Sequence, residues 1–178
     1  MFVFNSVLVG ELKYVSQPRY DEFQINPKGW LALEGEPNAE SSIGFVAMWF
    51  SEEVRILFDS VIDPSIRDAG YEPLRIDGTE HNNKIDDEIV ASIRAARFVV
   101  ADYTAGDTGP RGGVYYEAGF AHGLGLPVVF MAREGTDLHF DIRQYNTIFW
   151  KTDDLPDARK RLTNRILATL GRGPLKTS

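Results

Sequence analysis

From Ile43 onward, short apolar runs alternate with segments of helical periodicity, and this alternation is the feature that most constrains the fold. The first run, residues 43–50, is continuously apolar, which is typical of a strand buried on both faces of a sheet. The pattern predicts four further strands, at residues 71–76, 98–101, 126–131 and 147–150. Pro73 favours an edge position for the second strand, because proline cannot donate to a strand ladder.

Helical segments lie between these strands. Ser51 is a suitable N-cap for the first, Pro64 is expected to kink it, and Gly70 ends it. Further helices are predicted over residues 86–96, after the glycine-rich loop at 103–113, and from Asp154 to a glycine at 171. Strands that alternate with helices imply parallel strands joined by right-handed crossovers. We therefore predict an α/β fold, a doubly wound, flavodoxin-like sheet of five parallel strands with helices on both faces.

The first part of the sequence differs from the rest. We assign residues 1–42 to an N-terminal extension and linker, and residues 43–178 to the α/β domain. Residues 2–9 are apolar and suit a strand or the end of a helix. Residues 23–34 suit a strand, a turn and a short helix with Pro27 in its first turn. This segment resembles the last strand and tail of a winged-helix domain, so it is either a remnant of one or an extension that packs elsewhere.

The composition excludes several classes of site. There is no cysteine among the 178 residues, which rules out disulfides, zinc thiolates and cysteine nucleophiles. The three histidines are scattered, so we expect neither a metal nor a cofactor. The net charge of −7 argues against a nucleic acid partner, whose binding depends largely on neutralising phosphates. No apolar run reaches the roughly 20 residues of a membrane span, and no secretory signal is evident, so a cytoplasmic protein without a membrane partner is expected.

The glycine-rich loop and the helix after it are the best candidates for a ligand site. Ligands of doubly wound sheets bind beyond the carboxyl ends of the strands. Arg111 offers a fork of donors suited to phosphate, and Gly112 and Gly113 allow a ligand to approach the backbone. No Gly-Lys-Ser/Thr follows, so the loop is not a Walker loop. Other candidates for substrate binding at this rim are Trp49, Phe50, Asp77, Asp102 and Tyr116, although each aromatic residue also suits the core.

Glu117 is the candidate catalytic residue. A carboxylate can attack an anomeric carbon and form a covalent glycosyl intermediate. We expect the dipole and free N–H groups of the helix to keep Glu117 ionised. The alternative is that glutamate is simply a favourable residue in the first turns of a helix. Asp86 or Asp87 could supply a second carboxyl group, to bind a ribose hydroxyl or protonate the leaving base, or could merely cap its own helix.

The residues around Glu117 resemble those of the nucleoside 2-deoxyribosyltransferase superfamily. Gly113, Glu117, Gly119 and Ala121 match its Gly-x-x-x-Glu-x-Gly-x-Ala element, and the Ala-Met-Trp-Phe at 47–50 resembles the end of its first strand. The resemblance covers about residues 43–150. It implies a flavodoxin-like fold and cleavage of an N-glycosidic bond, with Glu117 attacking C1′ of a ribosyl or deoxyribosyl group.

The resemblance also implies roles for two more residues. Asn146 lies near a segment whose asparagine reaches the nucleophile of a neighbouring subunit in the transferases, so a homo-oligomer is expected. Asp86 is the best match for an aspartate that grips the base or sugar. Phe45 departs from the family, because it lacks the hydroxyl group expected on the first strand.

Arg111 is a second departure, since the transferases carry an acid there that receives the 5′-hydroxyl. A cation would instead receive a 5′-phosphate. The sequence thus predicts hydrolysis or transfer of the glycosyl group of a nucleoside or nucleoside 5′-monophosphate. Two alternatives stay open: a nucleotide-sensing domain without catalysis, and an NAD-cleaving enzyme similar to TIR domains.

Overall fold

A computed structural model describes residues 9–26, 29, 32–33, 38–76, 85–106, 109 and 111–175, without the side chains at positions 53, 85 and 86. The chain divides into two compact units, Met1–Pro37 and Asn38–Ser178. The predictions for residues 2–8, for Pro27 and for Asp77 in the loop 77–84 lie outside the described residues. None of the described helices is long and apolar enough to cross a lipid bilayer.

The N-terminal unit contains a β-hairpin. Its strands β1 (Val15–Arg19) and β2 (Glu22–Ile25) are antiparallel, and Val15 lies opposite Ile25. An apolar groove of about 430 Å³ lies against the hairpin, lined by Tyr14, Val15, Phe23, Ile25, Gly29, Ala32 and Leu33. The strand expected near Phe23 is present, and the relationship to a winged-helix domain stays a prediction.

The larger unit is built on a five-stranded parallel sheet. Its strands are β3 (Ile43–Ala47), β4 (Glu72–Leu74), β5 (Phe98–Asp102), β6 (Val128–Arg133) and β7 (Ile148–Trp150). They lie in the order β4-β3-β5-β6-β7, which is the order 2-1-3-4-5 of a flavodoxin-like sheet. The predicted fold class is confirmed, including the edge position of the strand that contains Pro73.

The helices of this unit are α1 (Glu52–Leu57), α2 (Asp63–Asp68), α3 (Ile85–Ala95), α4 (Gly112–Gly123) and α5 (Leu155–Leu170). A π-helical turn, Phe58–Ile62, joins α1 to α2 just before Pro64. Proline has no N–H to bond the carbonyl four residues earlier, and the wider turn accommodates this gap, with Asp63 N–H bonded to Phe58 O. The predicted break at Pro64 is confirmed.

Helices cover both faces of the sheet. On one face α1, α2 and α5 pack on a core that includes Ile62, Phe98, Trp150 and Ile166. On the other face α3 and α4 pack on a second core that includes Phe45, Val99, Ile93 and Ala118. The alternating residues of the buried strands supply both cores, which is why those strands read as continuously apolar runs.

Each outer strand of the sheet has one outward-facing backbone position that a further strand could not use. Glu72 N–H bonds the carbonyl of Ser42, so the next residue of β4, Pro73, turns its nitrogen outward, where it has no hydrogen to donate. At the other edge, the guanidinium of Arg161 from α5 donates to the outward carbonyl of Phe149. Proline and a charged side chain thus occupy the two edges.

Candidate functional site

The candidate site begins where β5 ends. After Asp102 the chain makes a tight turn in which Gly109 N–H donates to Gly106 O over 3.0 Å. Gly109 has φ of 85°, a conformation that favours glycine. Arg111 then has extended backbone as the N-cap of α4, and Gly112 and Gly113 are its first two residues. The loop thus delivers α4 to the carboxyl end of the central strand, where a ligand of this fold is expected.

Glu117 lies in the second turn of α4, as its sixth residue. Its side chain is half-buried, and no described residue forms a hydrogen bond or ion pair with the carboxylate. Burial raises the pKa of Glu117 to about 7 from 4.5. Burial thus opposes the expected ionisation of this group. The free N–H groups belong to the first turn of α4, and loss of water around a carboxylate one turn further on is the stronger effect.

The glycines before Glu117 leave its surroundings open. A Cβ atom built at Gly113 would lie 3.9 Å from Oε1 of Glu117, an ordinary contact, and one at Gly112 would meet nothing within 4 Å. Both glycines are exposed. The helix therefore presents bare backbone beside the carboxylate, which leaves space for a ligand.

Arg111 and Trp49 are in direct contact. The guanidinium carbon of Arg111 lies 3.9 Å from the centre of the Trp49 ring, in a cation–π arrangement. Nε of Arg111 is buried without a hydrogen-bond partner. Trp49 also packs on the turn before α4, since a Cβ atom at Gly106 would lie only 2.5 Å from the indole. Trp49, which follows β3, and Arg111, in the segment after β5, were both predicted to bind substrate, and their contact links the ends of the two strands.

Two other predicted aromatic residues are exposed. Phe50 is 46% exposed, with the guanidinium carbon of Arg75 5.4 Å from its ring centre. Tyr116 is 61% exposed on α4, and its ring is nearly parallel to that of Phe120 at 6.3 Å. Each ring therefore has surface available to a ligand, and their roles in binding stay predictions.

Asp102 ends β5 as expected, but its carboxyl group is completely buried. Its Oδ1 accepts hydrogen bonds from Thr104 Oγ1 at 2.9 Å and Trp150 Nε1 at 3.0 Å, while Oδ2 has no partner. Burial raises the pKa of Asp102 to about 6, because loss of water outweighs these two hydrogen bonds. The observed contacts of Asp102 are internal, and none of its surface is exposed to a substrate.

Asn146 and Asp86 are not brought to Glu117 by the described contacts. Asn146 is exposed just before β7, and its carbonyl accepts a hydrogen bond from Arg165 of α5. The ring of the preceding residue, Tyr145, lies 5.3 Å from that of His122 on α4, but no described contact joins Asn146 itself to Glu117. Asp86 is in the first turn of α3, but its side chain is outside the described residues. Their catalytic roles stay predictions.

Sequence analysis missed a cluster of tyrosines beside the loop. The rings of Tyr103 and Tyr115 lie 4.7 Å apart, and Tyr103 stacks on Phe130. Burial, together with the nearby phenols of Tyr115 and Tyr145, raises the pKa of Tyr103. Tyr103 directly follows the carboxyl end of β5, and that position was the signal available in the sequence.

The chain is similar to solved structures of at least three proteins. No family model matches the chain, and no curated protein matches its sequence. A CMP N-glycosidase from Clostridium botulinum superposes with a TM-score of 0.52 and 14% identity, covering 69% of this chain and 98% of that one. The chain shares the α/β fold of this N-glycosidase. The resemblance predicted from the α4 motif is thus supported at the level of the fold.

The other two similarities are weaker. A 2-desoxiribosyltransferase from Leishmania mexicana has a TM-score of 0.46 and 18% identity, over 61% of this chain and 74% of that one. Rubredoxin oxygen:oxidoreductase from Desulfovibrio gigas has a TM-score of 0.42 and 15% identity, over 80% of this chain and 40% of that one.

Proposed function

We propose that the chain cleaves the N-glycosidic bond of a nucleoside or nucleoside 5′-monophosphate, with Glu117 as the nucleophile. The observation that carries this proposal is the state of Glu117. It is a half-buried carboxyl group with no partner among the described residues and a pKa raised to about 7, beside exposed glycines at the ligand-binding end of the sheet. A carboxyl group in such surroundings is costly to ionise, which is typical of a functional site.

The proposed reaction uses the free-energy cost of ionising Glu117. As the C1′–N bond breaks, its electron pair leaves with the base and positive charge develops on the sugar. An unpartnered carboxylate in a poorly solvated place gains most when this charge appears, so it favours the transition state over the bound substrate. Glu117 then forms an ester to C1′. Water attacks that ester, its oxygen ends on C1′, one of its protons passes through solvent to the departed base, and the carboxylate is restored. A second base could replace water.

The preference for a phosphorylated substrate is supported by Arg111. This cation follows the loop directly and has no described carboxylate partner. A guanidinium matches the geometry of a phosphate and binds it through two parallel hydrogen bonds. The name of the clostridial protein of the same fold identifies a nucleoside 5′-monophosphate as its substrate.

Chromatography of the released base tests the proposal. Purified protein is incubated with a panel of nucleosides, their 5′-monophosphates and NAD, beside Glu117→Gln and the control Glu72→Gln. Glu72 is exposed at the start of β4, remote from the carboxyl ends of the strands. We expect cleavage of a monophosphate in preference to its nucleoside, lost by roughly a thousandfold or more in Glu117→Gln only. Equal rates for wild type and Glu117→Gln would contradict a glutamate nucleophile.

A second candidate is a nucleotide sensor without catalysis. The observation that favours it is the separate N-terminal unit with its hairpin, which could receive a signal from the α/β unit. A nucleotide that raises the melting temperature without losing its base would support the sensor. Release of nicotinamide from NAD alone would instead support the TIR-like alternative.

A further inference from the structure

We propose that Trp49 is a positioning residue, which holds the Arg111 guanidinium in place for a substrate 5′-phosphate and so sets the preference for nucleotides over nucleosides. The proposal rests on the proposed function and changes the role expected for Trp49. The sequence predicted that Trp49 binds the substrate directly, whereas the structure shows a guanidinium 3.9 Å from its ring centre.

The contact fixes an otherwise flexible side chain. Arginine has several rotatable bonds, and ordering it on binding has an entropic cost. When the guanidinium already lies on an aromatic face, less of that cost falls on ligand binding. Trp49 is itself held by the chain, because the backbone of Gly106 packs so close to the indole that a Cβ atom would overlap it. The turn, the indole and the guanidinium therefore form one packed unit.

The donors of Arg111 are not paired with any described carboxylate. Nε is buried without a partner, and no described aspartate or glutamate pairs with the guanidinium. Other described arginines do have such pairs, as Arg159 has with Asp68 at 2.6 Å. A cation that is supported by an aromatic ring rather than by a carboxylate keeps its full charge for an anion, and a phosphate monoester has the geometry to bridge its two N–H groups.

The neighbouring aromatic residue is better placed to meet the base. One face of the Trp49 indole contacts Arg111, while nearly half the surface of Phe50 is exposed. The two adjacent residues after β3 thus have different roles. Trp49 supports the phosphate-binding cation, and Phe50 presents an exposed ring to the base. This division predicts different effects when either ring is removed.

Two measurements on Trp49→Leu, Trp49→Tyr and Phe50→Leu test the proposal. The first is the ratio of kcat/KM for the best-cleaved 5′-monophosphate to that for its nucleoside. The second is the dissociation constant of inorganic phosphate, measured by titration calorimetry. We expect Trp49→Leu to lower the ratio by about 5- to 30-fold and weaken phosphate binding by a similar factor, with Trp49→Tyr restoring most of both. Phe50→Leu should lower kcat/KM for both substrates by a similar factor, and so leave the ratio near that of wild type.

An unchanged ratio and unchanged phosphate binding in Trp49→Leu, with both reduced in Arg111→Met, would overturn the proposal and leave the proposed function standing. If the wild type cleaves nothing, the proposed function fails, and phosphate binding alone decides the role of Trp49. Should Trp49→Leu not fold, Gly106→Ala serves instead, because its methyl group displaces the indole from the turn. We expect this variant to show the same decrease in the kcat/KM ratio and the same weakening of phosphate binding.

Discussion

The indole N–H of Trp150 donates a 3.0 Å hydrogen bond to Oδ1 of Asp102, which joins the outermost strand of the sheet to the end of the central one. Both side chains are buried, and the second oxygen of Asp102 has no partner. Such a carboxyl group is more stable in its neutral form. The bond from Trp150 favours the ionised carboxylate, but burial outweighs it, so the group resists ionisation while the bond links the two strands.

Asp102 should make the protein less stable as the pH rises. Its pKa of about 6 in the folded chain is above the ordinary value of 3.8, so the folded state binds the proton more tightly than the unfolded state. The stability from this proton is present below about pH 4 and is lost by about pH 6. We expect the unfolding free energy of Asp102→Asn, relative to wild type, to increase by up to about 3 kcal/mol across this interval. Urea denaturation at several pH values measures it, and a constant difference would contradict the assignment.

Glu117 should also make the protein less stable as the pH rises, over a range that extends to higher pH. Its folded pKa of about 7 exceeds 4.5, so wild type loses stability as the pH rises between these values. Glu117→Gln removes the cost of a buried charge, and we expect it to be more stable than wild type at pH 8 by up to about 3 kcal/mol, with no such gain at pH 4. Denaturation of the exposed control Glu72→Gln should differ little from wild type at either pH. A Glu117→Gln variant less stable than wild type at pH 8 would show that the carboxylate has a stabilising partner.

The rate of base release should also depend on this carboxyl group. A nucleophile must be ionised, so kcat/KM is expected to rise with pH and to level off above an inflection near 7. Measurement from pH 5 to 9 with a nucleoside, which lacks the phosphate that titrates at about pH 6, gives the profile. An activity that falls through pH 7 would instead indicate that Glu117 acts as a general acid.

Gly44 is expected to be intolerant of a side chain. A Cβ atom there would lie 2.6 Å from the ring of Phe98, the fully buried residue that pairs with Gly44 on the neighbouring strand β5. Gly44→Ala should destabilise the protein by about 1–3 kcal/mol through overpacking. The matched substitution is Gly119→Ala in α4, where nothing lies within 4 Å and alanine is the better helix former, so a gain of about 0.5–1 kcal/mol is expected. Thermal unfolding of both variants would contradict this account if Gly44→Ala were the more stable.

The fold could be predicted from local patterns because each strand and helix carries its own signal. Continuous apolar runs identified the buried strands, Pro73 placed one at an edge, and Asp154 began the final helix, where its side chain accepts a hydrogen bond from Asp157 N–H. Ser51 also lies at the expected N-cap, although its hydroxyl forms no capping bond.

The site could be predicted only in part, because its properties depend on contacts between distant residues. Spacing identified Glu117, but its pKa follows from burial that no local pattern records. The Arg111–Trp49 contact joins residues 62 positions apart, and the Asp102–Trp150 bond joins residues 48 apart. Asn146 was assigned by resemblance alone, which does not specify the packing of its own chain against α5.

The closed edges of the sheet limit how copies of this chain can associate. An open edge allows another molecule to extend the ladder, and repeated extension leads to fibres. Here an incoming strand would meet Pro73, which has no N–H to offer, at one side, and would have to displace Arg161 from Phe149 at the other. Copies that assemble are therefore expected to meet through their helices, so that each sheet stays five strands wide.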